Sequence, residues 1–409
     1  MSEAGSVEAT AMLWLDAVEL RPSIASFSFD AARFDDLRQR VSSGELDPAA
    51  NRLSRAPTPL ATPPVDLRPS AEGGDERRAR LSARGEQALR EGKVAILVLN
   101  GGMATRFGGG AKGVVSVVEG QPKTSFLAVK LGQVRTAAQA LGGRIPVVLM
   151  HSFATQGPSE DHLTEIDWSG VEPGDRDAFA QSIMPRVLPD GTPLAELPEA
   201  SDLPDTALYS APGHGDTLGR LRGSGALGRL RERGVEHVLV SNVDNLGASL
   251  DPVVVGAHLE AVDGGAKMSV EVVRREAGDA GGCVAQLEDG TEAIVEAFRL
   301  PKGVDLADYP HFNTNTLWLH AEAVDRDVPL TWFAVRKKID WPDASRTGDD
   351  GKLEVVQFER LIGQATETIK SAYLEVDRRA RFCPIKVRDD LQKEAQMLEN
   401  FARDAGLMK

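Results

Sequence analysis

Cysteine is scarce in this chain of 409 residues: Cys283 and Cys383 are the only two, far apart and in no CxxC or Cys/His cluster. Neither a disulfide framework nor a zinc site is expected, and both thiols are expected in the core. Long apolar runs are missing too. Nothing approaches the roughly 20 residues needed to span a bilayer, and the first 30 residues lack a basic start and apolar core, because Asp16 interrupts Ala11–Leu15. Neither membrane insertion nor secretion is expected, and the expected location is cytoplasmic. Positive charge is in deficit: the formal net charge of -14 gives a surface that repels nucleic acid and anionic membranes. A phosphate-bearing ligand would need a local cationic site.

Apolar residues make up 42% of the chain, enough for a sizeable core, and the length favours two domains or one enlarged α/β domain. Residues 1–44 place Met12, Leu15, Val18, Leu20, Phe34, Leu37 and Val41 near helical spacing. From Pro48 to Gly74 prolines break regular structure, which reads as a wrap or linker. A charged helix is expected over Asp75–Arg90. Then βαβ rhythm begins: strands at 94–99, 114–118 and 146–150, a helix over 124–141 stopped by Gly142-Gly143, a helix over 217–233, a strand at 236–240 and a helix after Pro252. Short strands at 268–273, 283–287, 293–295 and 315–319 look like a mixed or antiparallel section inserted for substrate recognition. Helices are expected at 353–364 and 389–405, flanking an extended 382–387. The division expected is 1–90 as a helical, Pro-rich extension, 91–330 as the α/β domain and 331–409 as a C-terminal helical region.

The segment Val94–Lys112 says most. Six apolar residues fit a strand covered on both faces, and it runs into Asn100-Gly101-Gly102-Met103-Ala104-Thr105-Arg106-Phe107-Gly108-Gly109-Gly110-Ala111-Lys112. Glycines let backbone N–H groups turn toward an anion, and Arg106 and Lys112 add charge. A Walker loop needs Gly-Lys followed by Ser or Thr, but Lys112 follows Ala111 and precedes Gly113. A dinucleotide fingerprint needs three glycines at the strand-to-helix turn, and Met103, Ala104 and Thr105 intervene. A nucleotidyltransferase loop around a triphosphate and a plain glycine turn stay open.

Each downstream motif has a plain and a chemical reading. Pro212-Gly213-His214-Gly215-Asp216 is a turn, or a place where His214 meets a phosphate or sugar hydroxyl beside glycines that let a base approach. Ser241-Asn242-Val243-Asp244-Asn245-Leu246-Gly247 follows a buried strand, where open α/β sheets bind ligands. Asp244 either holds Mg²⁺, which prefers oxygen ligands shared with phosphates, or caps a turn. In Phe312-Asn313-Thr314-Asn315 the strand period puts Asn313 and Asn315 on one face, suited to sugar hydroxyls or simply to solvent. Glu296 and Lys386 are weak signals, since exposed charges are usually just solvated.

In order and wording these segments resemble the UDP-glucose pyrophosphorylase family of nucleotidyltransferases, from about Lys93 to Leu391. The resemblance also takes in Val148-Leu149-Met150-His151-Ser152-Phe153, Phe179-Ala180-Gln181-Ser182 and Arg381-Phe382-Cys383-Pro384-Ile385-Lys386. It implies an α/β, Rossmann-like nucleotidyltransferase domain with a mixed central sheet, a helical N-terminal extension and a short C-terminal region. It implies the joining of UTP and a sugar 1-phosphate, most of all glucose 1-phosphate, to give UDP-sugar and pyrophosphate with Mg²⁺. By motif match Gly101, Gly102, Met150, Gln181 and Gly213 hold the uridine, while Lys112, Arg106 and Lys386 meet the reacting phosphates. Asn242 lies near the α-phosphate, Asp244 near the metal, and His214, Glu296, Asn313 and Asn315 meet the sugar phosphate. Two departures bear on this. Eukaryotic members carry a C-terminal β-helix, whereas only a short helical tail follows Lys386, so their oligomerisation does not carry over; and Thr105-Arg106 is similar to the N-acetylglucosamine branch. A UDP-N-acetylhexosamine or broad UDP-sugar pyrophosphorylase is the alternative, and an inactive nucleotide-sugar binding protein is the alternative of another class.

Overall fold

Val94–Leu99 forms a strand with all six residues buried, and the reason is that both of its faces are covered. Ile96 and Val98 pack with Leu81, Phe126, Leu127 and Val254 on one side, and Ala95, Leu97 and Leu99 with Leu218, Leu221 and Leu227 on the other. The structure is a computed structural model and describes residues 20–71 and 74–409; Met12, Leu15 and Val18 of the expected helix lie outside them.

The strands in chain order are β1 (Val65–Asp66), β2 (Val94–Leu99), β3 (Val147–His151), β4 (Arg176–Ala180), β5 (Met184–Pro185), β6 (Tyr209–Ser210) and β7 (His237–Asn242). They continue with β8 (Met268–Arg274), β9 (Cys283–Gln286), β10 (Glu292–Val295), β11 (His311–His320), β12 (Phe333–Asp340), β13 (Lys352–Glu359) and β14 (Ser371–Glu375). A ten-stranded sheet has the order β1-β14-β8-β11-β7-β2-β3-β4, with β9 joining β11 and carrying β10. β2, β3, β4 and β7 are parallel, while β11 runs antiparallel to both β7 and β8. This is the mixed central sheet expected.

Two compact units are discontinuous in sequence. One comprises residues 20–53 with Gln181–Asp216 and Thr331–Leu361; the other holds the large sheet and comprises the described residues of 54–180 with Thr217–Leu330 and Ile362–Lys409. Leu330/Thr331 is thus one switch between units, whereas residue 90 lies inside the second. The first unit has its own core, in which Phe34, Leu37 and Val41 of the helix Ala31–Ser42 pack on Met184, Val187, Val356 and Phe358. In the second, the helices Gly74–Arg90 and Pro252–Asp263 touch backbone to backbone. A Cβ on Gly85 would collide with the Pro252 carbonyl, and one on Gly256 with that of Leu81.

Several expectations are corrected. Residues 114–118 form no strand: Lys112–Val114 is a 3₁₀ turn and only Ser116 bridges Ser125. The helix over 217–233 is two, Asp216–Gly223 and Ala226–Glu232, broken at Gly225 with φ +78°. The section from 267 is no separate insertion, because β8 and β11 are inner strands of the main sheet. The helix expected at 353–364 is β13, hydrogen-bonded along its length to β12. The region after 331 therefore carries a hairpin and β14 as well as helices. Residues 389–405 do fold as helices, Arg388–Lys393 and Ala395–Asp404. Both cysteines are free and buried.

At the start of β7, three histidines stack. His237 Nδ1 lies 3.1 Å from His258 Nε2, His258 Nδ1 lies 2.9 Å from Ser269 Oγ, and the His320 ring meets His237 edge-on at 5.1 Å. Burial, then the His320 charge, pushes His237 down to about 4, and burial holds His258 well below the usual imidazole range. The unfolded chain takes up protons below about pH 6.5 while these folded rings do not, so stability falls as pH drops from there toward 4. Urea unfolding is expected to lose on the order of 2–3 kcal/mol between pH 7 and pH 4 through His237 alone, with His258 adding to it, and His237→Phe should flatten that slope. An unchanged slope in the variant would refute it.

Candidate active site

Register places the ends of three parallel strands side by side: Leu99 pairs with Met150 on β3 and with Asn242 on β7. Asn100, His151 and Asn242 therefore lie along one edge, the carboxyl edge where such sheets bind ligands. The loop after β2 is pinned at both ends. Thr155 Oγ1 donates to the Asn100 carbonyl at 2.8 Å and Ser152 Oγ to that of Gly101 at 2.9 Å. Lys112 N donates to Gly102 O and Ala104 N to Gly110 O. The turn back rests on Gly108, Gly109 and Gly110, with φ of 103°, 103° and 79°, values that favour residues without a Cβ. Gly113 must also lack one, because it would strike Asn100 Oδ1. Asn100 Oδ1 and His151 Nε2 are buried without a hydrogen-bond partner among the described residues, and burial holds His151 down at about 4, so near neutral pH its ring is uncharged.

Lys112 and Asp244 form an ion pair, their side chains 15% and 17% exposed. Lys112 Nζ also stands 5.7 Å from the Phe107 ring centroid. Arg106 projects from the loop into solvent and makes no ion pair or hydrogen bond among the described residues. Asn242 Oδ1 accepts from Asn315 Nδ2 at 3.1 Å, and Asn313 Oδ1 from Asn315 N at 2.9 Å. Asn313 in turn bonds Glu296, whose carboxyl burial pushes up and these hydrogen bonds, from Asn313 and from Gly282 N, pull back. The strand period expected for Asn313 and Asn315 is corrected: β11 bulges between Asn313 and Thr316, and Asn315 has φ +57°. The bulge, not alternation, brings both amides to Asn242 and Glu296.

The C-terminal segment reaches the same turn. Cys383 N donates to Asn245 Oδ1 at 3.0 Å, Asn245 Nδ2 to the Arg381 carbonyl at 3.1 Å, and Ile385 N to the Asp244 carbonyl at 3.4 Å. Lys386, the next residue, is exposed, and its N–H donates to Asp390 Oδ2 at 2.7 Å. Arg388 Nη2 donates to the Phe107 carbonyl at 2.6 Å, tying this segment to the glycine loop. Met150 is buried, its Sδ accepting from Thr217 Oγ1 at 3.3 Å. Among the described residues no group of three His, Cys, Asp or Glu could hold a metal, and no helix is long and apolar enough to cross a membrane.

The other unit holds Gln181, Gly213 and His214 together. Gln181 Nε2 donates to the Gly213 carbonyl at 2.7 Å. The loop lies along Arg360, with Arg360 N donating to Pro212 O and Gly215 N to Arg360 O, both at 2.8 Å. Gly213 has φ +75° and a Cβ there would sit 2.6 Å from the Arg360 carbonyl. Asp216 accepts from Arg360 Nη2 at 2.6 Å and from Ser182 N at 2.7 Å. Burial holds His214 down at about 4, so near neutral pH it works as an uncharged hydrogen-bonding group.

Sequence reasoning missed Arg388, Arg360, Ser152, Thr155 and Lys130. Arg388 stands two residues from Lys386 and was open to suspicion; Lys130, a lone lysine in the apolar run Phe126–Leu131, was the other available signal.

The family model for UTP–glucose-1-phosphate uridylyltransferase matches residues 71–405. The chain belongs to this uridylyltransferase family. It is 31% identical over 317 residues to the UTP–glucose-1-phosphate uridylyltransferase of Saccharomyces cerevisiae, an alignment covering 76% of this chain and 61% of that protein. The alignments span about three fifths of the Saccharomyces cerevisiae, Dictyostelium discoideum and Schizosaccharomyces pombe relatives. A variant of the Leishmania major UDP-glucose pyrophosphorylase, solved in complex with UDP-glucose, superposes with a TM-score of 0.68 at 26% identity, covering 95% of this chain and 79% of that one. The Trypanosoma brucei uridine diphosphate N-acetylglucosamine pyrophosphorylase has a TM-score of 0.73 at 20% identity, covering 97% and 79%, and shows the shared fold.

Proposed function

We propose that this member of the uridylyltransferase family joins UTP and glucose 1-phosphate to give UDP-glucose and pyrophosphate. The observation that carries the reading is the Lys112–Asp244 pair at the carboxyl ends of β2 and β7, beside the bonded chain Asn242–Asn315–Asn313–Glu296. A sugar phosphate oxygen is already anionic near neutral pH, so attack on the α-phosphorus needs no strong base. Charge repulsion is the obstacle. Lys112, Arg106 and Lys386 offset it, align the attacking oxygen and stabilise the pyrophosphate that departs as the α–β phosphate bond breaks.

The remaining roles follow the same reading. In the unit with the large sheet, Gly101 and Gly102 hold the uridine by backbone groups, Met150 backs them from the core, and Glu296, Asn313 and Asn315 meet the sugar phosphate; in the other unit, Gln181 and Gly213 offer amide and backbone groups to a base and His214 an uncharged group to a phosphate or sugar hydroxyl. Asp244 is the carboxylate available for Mg²⁺. One carboxylate suits an ion that takes most of its oxygens from phosphates and water, and when bound it would neutralise phosphate charge. The two buried thiols agree with a reducing cytoplasmic setting.

Pyrophosphate release should be measured over a panel of sugar 1-phosphates, with UTP against other nucleoside triphosphates and with Mg²⁺ varied. Highest kcat/KM is expected for glucose 1-phosphate with UTP, and no turnover once Mg²⁺ is chelated. Thr105-Arg106 favours N-acetylglucosamine 1-phosphate as the competing substrate, and preference for it would overturn the choice of sugar. Tight UTP binding without turnover on any sugar would overturn the enzyme reading.

A further inference from the structure

The turn that carries Asp244 stands on a buried lysine. Lys130 is 1% exposed, in a helix (Phe126–Leu141) whose first turns are buried all round by Phe126, Leu127, Val129 and Leu131. Its ammonium spans the turn: Nζ donates to Ser241 Oγ at 3.2 Å, on the last residues of β7, and to the Ala248 carbonyl at 2.7 Å, beyond Gly247. One helical turn on, Gln133 Nε2 donates to the Leu246 carbonyl at 3.1 Å. Within the turn, Asn245 N bonds Asn242 O and Ala248 N bonds Asn245 O. The segment is therefore clipped from beneath at both ends and in the middle by one helix.

A buried ammonium is costly unless its hydrogen bonds and countercharges are in place. Burial and Arg381 push it down to about 7, and the charges of Asp244 and Glu271 push back. A methionine would fill much the same volume but leave the Ala248 carbonyl without its donor. The site thus keeps a polar strut where packing alone asks for an apolar side chain.

We propose that Lys130 is a positioning residue, which fixes the turn 241–248 so that Asn242 and Asp244 keep their geometry for uridylyl transfer. The effect on turnover rests on the function proposed above; the effect on the turn does not. The test is Lys130→Met in the full chain, read by hydrogen–deuterium exchange and by steady-state kinetics. Exchange of amides 243–248 is expected to quicken about tenfold while β2 and β3 keep their protection, and kcat to fall about tenfold with KM for glucose 1-phosphate nearly unchanged. Unchanged exchange in the turn overturns the strut. Faster exchange with an unchanged kcat overturns the positioning role. Should Lys130→Met fail to fold, Ser241→Ala removes one of the two contacts and must give the same split at about threefold, with no effect counting against the proposal. Should the native chain turn over no sugar phosphate, the function proposed above fails, and the exchange comparison alone decides the strut.

Discussion

Lys112→Ala is expected to lower kcat by about 10³-fold, about 4 kcal/mol of transition-state stabilisation, while KM for the sugar phosphate moves by no more than about threefold. The argument starts from the partner of Lys112. In the free chain its ammonium rests on Asp244, with the two side chains only 15% and 17% exposed, so removing the ammonium leaves a mostly buried carboxylate without its countercharge and costs some stability as well. Its charge is held in reserve for an anion, and the loop that presents it is fixed by Ser152, Thr155 and Arg388. The melting temperature of the alanine variant should drop while the chain stays folded at the assay temperature, which separates lost chemistry from lost structure. Lys112→Arg should recover only part of the rate, since a broad planar fork does not replace a compact point charge. Arg106→Ala should cost less, because Arg106 sits exposed on the same loop and pairs with none of the described residues. A turnover number near normal in Lys112→Ala would remove the assignment.

The parts of this site that were legible were those written in consecutive residues. Val94–Leu99 announced a strand covered on both faces, and Gly142-Gly143 stopped the helix expected over 124–141, which folds as Phe126–Leu141 with Gly142 at φ +64°. Asp244, Asn242 and Lys112 were legible because a buried strand followed by polar residues marks a sheet edge. Two kinds of feature were not. Lys352–Glu359 carries apolar residues at both strand and helix spacing, and its partner Phe333–Asp340 is largely charged and exposed, so neither announces the hairpin they form. Ser371–Glu375 joins the sheet although it ends on a carboxylate, because Arg68, Arg274 and His311 from distant segments surround Glu375. Likewise Asn315 adopts a left-handed backbone that no alternating pattern anticipates. Such features are decided by partners in other segments of the chain, and a local pattern carries no trace of them.

The second large effect follows from one such long-range partnership. Arg381 and Glu271 are both almost fully buried; Nε and Nη2 donate to the carboxylate at 2.9 and 2.5 Å, and Trp318 Nε1 donates to it at 2.9 Å. Arg381 also holds Ser249 through its carbonyl at 2.9 Å and hydroxyl at 3.2 Å. Arg381→Met removes the cation and leaves Glu271 buried with only the indole N–H, so a loss of about 3–5 kcal/mol is expected from urea unfolding of the unit that contains the large sheet. Arg381→Met combined with Glu271→Gln removes the stranded charge while keeping an acceptor for Trp318, and should restore at least about half of that loss. Activity should stay low in both variants. The residues after Arg381 reach Asn245 and Asp244 through Cys383 and Ile385 before presenting Lys386, and losing the Ser249 contacts frees the start of that segment. Stability that recovers in the double variant while kcat does not would separate the two duties of Arg381: balancing a buried charge, and anchoring the strand of chain that brings Lys386 to the sheet edge. A single variant that costs under about 1 kcal/mol would mean that Glu271 is not confined as its burial indicates.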